Sequence, residues 1–458
     1  MKTIFFSIIF ILPLMSVFSQ DVDSVQIKKF FDDALNSKIS YNNLSKLCKE
    51  TAGRICGTQK SLDAVYFTKK MMEELKFDTV YLQELMVPHW IRGEKETSGC
   101  TLMKTGAKYI FNVSALGMSI GTGKKGITAE IIEVKSFDDL KALGEKEVSG
   151  KIVFFNKEAE QSYVLTFRAY GEIAGFRSRG AIEAAKYGAV GVVVRSATLA
   201  HDEYPHTGVM RYDENIKKIP AVAIATNHAD TLSMLLKKDK KLIFHFKTNC
   251  ETKEDVKSYN VIGEFCGSAY PDEFITVGGH IDAWDNGGEG AHDDGCGCMQ
   301  AMEVIRIFKA CGFKPKRTIR AVMFMDEEIA QRGGRKYAEE AVRKNEKHIA
   351  AIESDAGCMS PRGFSMDAGI DTVNKFIQFK KYFEPYGMYE FRKGYGGVDI
   401  SFLKKNGTPL IGLMTDNQRY FDFHHCAFDT FDKINRREMQ MGSAAIAGLV
   451  YLIDKYGL

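Results

Sequence analysis

Little in this chain would tie it to a polyanion or a bilayer. Its 62 lysines and arginines are nearly matched by 59 aspartates and glutamates, for a formal net charge of +3 over 458 residues. So small an excess makes no electrostatic case for nucleic acid or an anionic membrane. Beyond residue 20, no stretch is long and apolar enough to span a bilayer. Internal repeats and low-complexity tracts are lacking too. What remains is ordinary globular composition, 45% hydrophobic and 26% charged. The length suits roughly two to four domains, or one large domain with an insert.

The N-terminus stands apart. Lys2 is the only charge before Asp21, residues 4–18 are almost wholly apolar, and Val17-x-Ser19 fits a small-residue cleavage site. This predicts a secretory signal peptide over residues 1–19 and a secreted or periplasmic mature chain with no membrane contact. No cysteine stands near the cleavage point, which argues against a lipoprotein. Ten cysteines in an exported chain can form disulfides, but their spacing does not give the pairing. Cys296 and Cys298 begin a predicted helix, where they are expected to pack as small apolar residues rather than to bind metal.

Periodicity divides the rest. Residues 22–85 read as helical, with apolar side chains at helical spacing (Val25, Phe30, Phe31, Leu35, then Ala64, Phe67, Met71, Leu75) before a strand-like segment starts at Val80. Residues 101–250 alternate short strands and helices, as in 151–155, 180–188, 189–194 and 219–224, and predict a small α/β insert. It resembles a protease-associated (PA) domain. The flanking parts, 20–100 and 251–458, would form one catalytic domain. From residue 259 the alternation strengthens, with strands at 260–263, 274–277, 317–325, 349–353 and 409–414. Helices are expected at 297–310, 336–344, 371–383, 398–405 and 437–456. The apolar run at 317–325 suits the centre of a parallel sheet.

The chemistry-bearing residues fall just after predicted strands, where open α/β sheets bind ligands. Four motifs occur in order: His280-x-Asp282 with Asp293-Asp294-Gly295; Asp326-Glu327-Glu328; Glu353-Ser354-Asp355; and His424-His425 with Asp429. Imidazole and carboxylate without thiolate suit zinc. One carboxylate can offer an oxygen to each of two metals about 3.5–4 Å apart, which together clamp the attacking and leaving oxygens of a hydrolysis. Of two adjacent glutamates, one can bind metal and the other serve as general base.

This order resembles the M28 family of co-catalytic di-zinc exopeptidases, and within it the carboxypeptidase Q group. The group resemblance is carried by residues 279–285, 314–318 and 353–357 and by His424-His425. It implies a three-layer α/β/α phosphorylase/hydrolase-like fold with the PA-like insert, two Zn²⁺ per chain, short peptide substrates and a homodimer. Asp293 would bridge the zincs, His280 and Asp355 would complete one, and Glu328 and His425 the other. Glu327 would be the general base. Asp282 would orient His280, and Asp429 would orient His425, the histidine with His-x-x-x-Asp-Thr spacing.

The sequence departs from its relatives at four positions. His292 is read as a solvated loop residue or a polar group at the rim. Asp326 is read as an exposed turn or a charge that raises the basicity of Glu327. His424 stands where some aminopeptidases have an oxyanion-binding tyrosine. Asp399 is expected to line the substrate pocket; an unsaturated zinc or a carboxylate such as Asp399 would hold an α-ammonium, and Arg332 or Arg335 would hold an α-carboxylate. The expected activity is hydrolysis of dipeptides or short peptides with free termini. An aminopeptidase on longer peptides, a single-zinc glutaminyl cyclase and a non-catalytic receptor-like homologue are the alternatives.

Overall fold

The computed structural model describes residues 21–458, so the expected signal peptide lies outside the described residues. Two eight-stranded sheets organise them. The larger runs in the order Thr79–Ile91, Glu251–Phe265, Arg317–Phe324, Tyr270–His280, Lys347–Glu353, Leu410–Thr415, Pro361–Asp367, Glu390–Lys393. Its four central strands, from Arg317–Phe324 to Leu410–Thr415, are parallel, and its flanks are mixed. Val277, Ala321 and Ile352 are wholly buried, as the apolar runs required.

Helices cover both faces. One face packs on Val22–Asn36, Ile39–Glu50, Gln59–Glu74, Cys296–Ala310 and Arg436–Tyr456. Phe30, Phe308, Phe313 and Tyr451 meet there ring to ring. The other face packs on Arg332–Arg343 and the 3₁₀ segment Asp399–Asn406, through Tyr337, Ala338, Ile400 and Leu403. The result is an α/β/α sandwich. The helix Cys296–Ala310 is buried nearly all round, and its buried Glu303 and Arg306 pair with each other at 2.8 Å. Arg436–Tyr456 starts where the Asn435 side chain caps the amides of Arg437 and Glu438.

The second sheet uses strands from Thr97–Thr101 to Ile243–Lys247 and carries a hydrophobic cluster on each face. Its helix Thr166–Ala185 is much longer than the predicted 180–188. Expected helix 371–383 is instead the short helix Ile370–Ile377 followed by 3₁₀ turns. Strands Pro361–Asp367 and Glu390–Lys393 were not expected. Gly363 explains part of this: a Cβ there would lie 1.8 Å from the Glu390 carbonyl oxygen, so the pairing needs a residue that ordinarily marks a strand break.

Strand register then assembles the site. His280 stands opposite Phe324, and Gly278 opposite Glu353. The strand ends are therefore level, and the segments that follow them, Asp326-Glu327-Glu328 and Ser354-Asp355, emerge side by side at the carboxyl edge.

Candidate metal centre

Two histidines approach one aspartate from opposite sides. His280 Nε2 lies 3.1 Å from Asp293 Oδ1, and His425 Nε2 lies 3.4 Å from Asp293 Oδ2. Asp355 Oδ1 is 3.6 Å from His280 Nε2, and Glu328 Oε2 is 3.1 Å from His425 Nε2. The structure thus gathers all five expected ligands into two groups sharing Asp293. The first of these, His280-Asp293-Asp355, lies within metal reach as a set, and so does one further grouping, Asp293-His424-His425, which shares the same aspartate.

The ring tautomers suit this arrangement. His280 Nδ1 donates to the Asp282 carbonyl at 3.0 Å, and His425 Nδ1 to the Thr207 carbonyl at 3.2 Å. Each bond occupies the far nitrogen and leaves Nε2 facing the carboxylates. Asp293 Oδ2, Glu328 Oε1 and Asp355 Oδ1 are buried with no hydrogen-bond partner. Buried carboxylate oxygens without donors are costly, so this donor set fits divalent cations.

The charges respond to one another. Burial disfavours the imidazolium of His280, but hydrogen bonds to Asp293 and Asp355 outweigh burial and raise its pKa well above the usual value. Burial pushes His425 down to about 3 and His424 well below its ordinary value. Burial raises Glu327 and Glu328 well above the usual carboxylate range, and the surrounding carboxylates add to it. Such a carboxyl is suited to accept and return a proton.

The supporting roles differ from those expected. The Asp282 carboxylate is 3.8 Å from His280 Nδ1, and the nearer partner of that ring is Asp282's own carbonyl. Its Oδ1 instead accepts from the amides of Asp326 at 2.9 Å and Glu327 at 3.1 Å. Asp429 does not orient His425; it accepts from the amides of His292 at 2.7 Å and Asp293 at 3.1 Å. Asp326 is no exposed turn. It is wholly buried at φ 71° and accepts from Cys56 Sγ and from the amides of Ala330 and Arg332.

His292 is likewise buried, stacked on Phe423 with its Nδ1 accepting from the Cys358 amide. His424 stacks on His425 at 3.4 Å between ring centres. Val398 lines the cavity beside the ligands, whereas Asp399 is buried and is not among the lining residues. Arg332 is paired with Asp255 and the Met86 carbonyl, Arg335 stacks on Phe402, and neither is among the residues lining the cavity beside the ligands.

Two features of the site were not foreseen. Cys296 does not simply pack as an apolar residue; it forms a disulfide with Cys358. These cysteines follow Asp293 and Asp355 by three residues each, so the bond ties the two ligand loops together. Cys298 is a buried free thiol whose Sγ contacts the His280 carbonyl. The second sheet also reaches the site. Arg177, Tyr170 and Val209 line a cavity of about 280 Å³ with Asp293, Glu327, Glu328 and Asp355. Tyr170 meets the His424 ring edge-on. Nothing in the local sequence around these residues signals a site.

Comparison with known proteins finds peptidases. The model of peptidase family M28 matches residues 260–450. Carboxypeptidase Q of Xenopus laevis is 34% identical over 407 residues, covering 88% of this chain and 84% of that protein. Carboxypeptidase Q of Mus musculus is 31% identical over 415 residues, covering 90% and 85%. Among solved structures, an M28 peptidase precursor from Shewanella amazonensis SB2B superposes with a TM-score of 0.89 at 33% identity, over 95% of this chain and 97% of that one. BSAP, a zinc aminopeptidase from Bacillus subtilis, shares the fold with a TM-score of 0.64 at 19% identity, over 90% and 94%. Sharing nearly its whole length with these relatives at 31–34% identity, the chain belongs to peptidase family M28 and is a carboxypeptidase Q-like metallo-exopeptidase.

Proposed function

We propose that the chain hydrolyses unblocked dipeptides and short peptides with two zinc ions per chain. The observation that carries this is Asp293, whose two oxygens each face a different imidazole, flanked by unpartnered oxygens of Glu328 and Asp355. His280 and Asp355 would hold one ion, Glu328 and His425 the other, and Asp293 both. When bound, such a pair polarises the scissile carbonyl and lowers the pKa of water. Glu327 takes a proton from the attacking water and passes it to the leaving amine. Asp282 fixes the backbone from which Glu327 projects.

The second sheet, which we read as a PA-like insert over roughly 101–250, closes one side of the cavity. Tyr420, Phe421 and Val398 wall another side. A cavity of about 280 Å³ suits a short peptide entering end-on and not a chain passing through. The names of the carboxypeptidase Q relatives support cleavage at a free C-terminus. Export is inferred from Lys2 and the apolar residues that follow it. The Cys296–Cys358 disulfide is in keeping with an oxidising compartment. No helix among the described residues is long and apolar enough to cross a membrane.

The test is a hydrolysis panel of free dipeptides, their N-acetyl and C-amide forms and aminoacyl anilides, with casein as control and zinc measured on the same sample. Free dipeptides should be cut fastest with two zinc ions per chain. Loss of the N-acetyl substrate alone would favour an aminopeptidase, a single zinc the cyclase-like alternative, and internal cuts in casein would refute an exopeptidase.

A further inference from the structure

A small chamber of about 10 Å³ adjoins Asp293, Glu328 and His425. It shares these three residues with the larger cavity but not Glu327, Asp355 or Tyr170, so it lies on their far side. Trp284 and Asn286 help to wall it. Three of the residues around it carry buried polar atoms without a hydrogen-bond partner: Trp284 Nε1, Asn286 Oδ1 and Glu328 Oε1. Asp293 Oδ2 is a fourth, but it faces His425 Nε2 at 3.4 Å, where an ion would lie.

Each of the three is held in place. Trp284 is 4% exposed. Trp90 meets its indole edge-on at 6.3 Å between ring centres, and His425 lies at 5.7 Å. A Cβ at Gly117 would overlap the indole, so that glycine closes over the ring. The Asn286 amide nitrogen donates to the His425 carbonyl at 2.8 Å, which leaves the side-chain oxygen as the free acceptor. Glu328 Oε2 faces His425 Nε2 at 3.1 Å, so Oε1 is the outer oxygen of that carboxylate.

The chemistry of this set selects its occupant. An indole N–H only donates, so it opposes a further metal ion, and an ammonium cannot accept from it. A volume of about 10 Å³ holds one water, which needs two to four polar partners. One water accepts from Trp284 Nε1 and donates its two hydrogens to Asn286 Oδ1 and Glu328 Oε1, which satisfies all three groups. Carboxylates that bind metal are themselves held by hydrogen bonds, and Glu328 Oε1 has no protein donor. Resting on the two-zinc reading above, we infer that Trp284 and Asn286 hold one structural water against Glu328, and that this water orients the carboxylate toward its ion. Trp284 is thus a positioning residue of the metal centre.

The test measures zinc affinity by chelator competition on the full chain, unaltered and with Trp284→Phe or Trp90→Phe. The second variant is the packing control: Trp90 belongs to the same apolar cluster, but its Nε1 donates to the Ser119 carbonyl at 3.0 Å. Denaturant unfolding of the zinc-free forms reads the packing loss in each. Trp284→Phe should weaken one zinc roughly 10- to 100-fold, the usual cost of losing an outer partner of a metal ligand, and leave the other within about threefold. Trp90→Phe should lose stability without weakening either zinc. A crystal structure of the unaltered zinc-loaded chain, which needs no variant to fold, should place one water within hydrogen-bond distance of all three atoms. No water there, or an ion in its place, overturns the inference. Equal zinc affinity with and without Trp284→Phe overturns it too, as does equal loss in both tryptophan variants. One zinc per chain with the water in place would sink the two-zinc reading and leave the water site standing. Two zincs without the water would do the reverse.

Discussion

Asp282 and Glu327 are joined through the backbone: one oxygen of the Asp282 carboxylate receives the Glu327 amide at 3.1 Å, together with the Asp326 amide at 2.9 Å. The loop after one strand thereby fixes the turn that carries Glu327 after its neighbour. Asp282→Ala should lower turnover about 10- to 100-fold, the usual cost of losing a buried supporting group. His280 keeps its Nδ1 partner because that partner is a main-chain carbonyl. Zinc content should therefore fall less than activity, and elemental analysis beside kcat checks it. Loss of all zinc with the activity would make Asp282 a support of His280 instead.

Glu327→Gln preserves size but cannot accept a proton. Turnover should drop roughly 10²–10⁴-fold, the range for general acid–base catalysis, with zinc near normal. Glu328→Gln should instead lose metal, because Glu328 Oε2 faces His425 Nε2 at 3.1 Å. The opposite pattern of zinc retention would exchange the two roles.

Metal loading should release protons. In the metal-free chain, hydrogen bonds to Asp293 and Asp355 overcome burial and hold a proton on His280 above its ordinary pKa. Burial likewise keeps Glu328 protonated above the usual carboxylate range. A cation must displace these protons, so affinity should rise as pH rises toward those values and fall in acid. Calorimetry at pH 7 in buffers of differing ionisation enthalpy should give at least about one proton released per chain. Zero release would contradict this protonation pattern. Asp293→Asn, which removes the charge shared by both imidazoles, should lose at least one zinc.

The disulfide Cys296–Cys358 closes a segment of 62 residues that includes Glu327. Replacing both cysteines by serine should cost about 2–4 kcal/mol of stability, read by denaturant unfolding with zinc held constant. Peptide mapping without reductant should recover the two half-cystines as one fragment. Two free thiols at these positions would dismiss the bond.

How much of this was legible in the sequence depends on distance along the chain. His280, Asp293, Glu328, Asp355 and His425 stand in motifs that are visible along the chain, and their reading as a ligand set came from the resemblance those motifs carry. Residues that support them from afar could not be read. Thr207 and Arg177 contact His425 across more than 200 residues, and no local pattern around them distinguishes a helix face turned to a cavity from one turned to solvent. The role of Asp429 was misjudged for a related reason. Spacing placed it near His425, but His425 takes φ 63°, and its Nδ1 points to Thr207. Cys296 gave no sign of pairing because its partner lies 62 residues on, in a loop whose path depends on the folded sheet.

The Thr207 carbonyl that receives His425 Nδ1 belongs to the polypeptide of the second sheet, while His425 belongs to the first. A ligand's proton position is thus set by a neighbour outside its own sandwich. Any movement that parts the two sheets frees that imidazole to shift its hydrogen to the nitrogen that faces the carboxylates. The seam between the sheets is therefore itself a component of the metal centre, and metal affinity should report on whether that seam is closed.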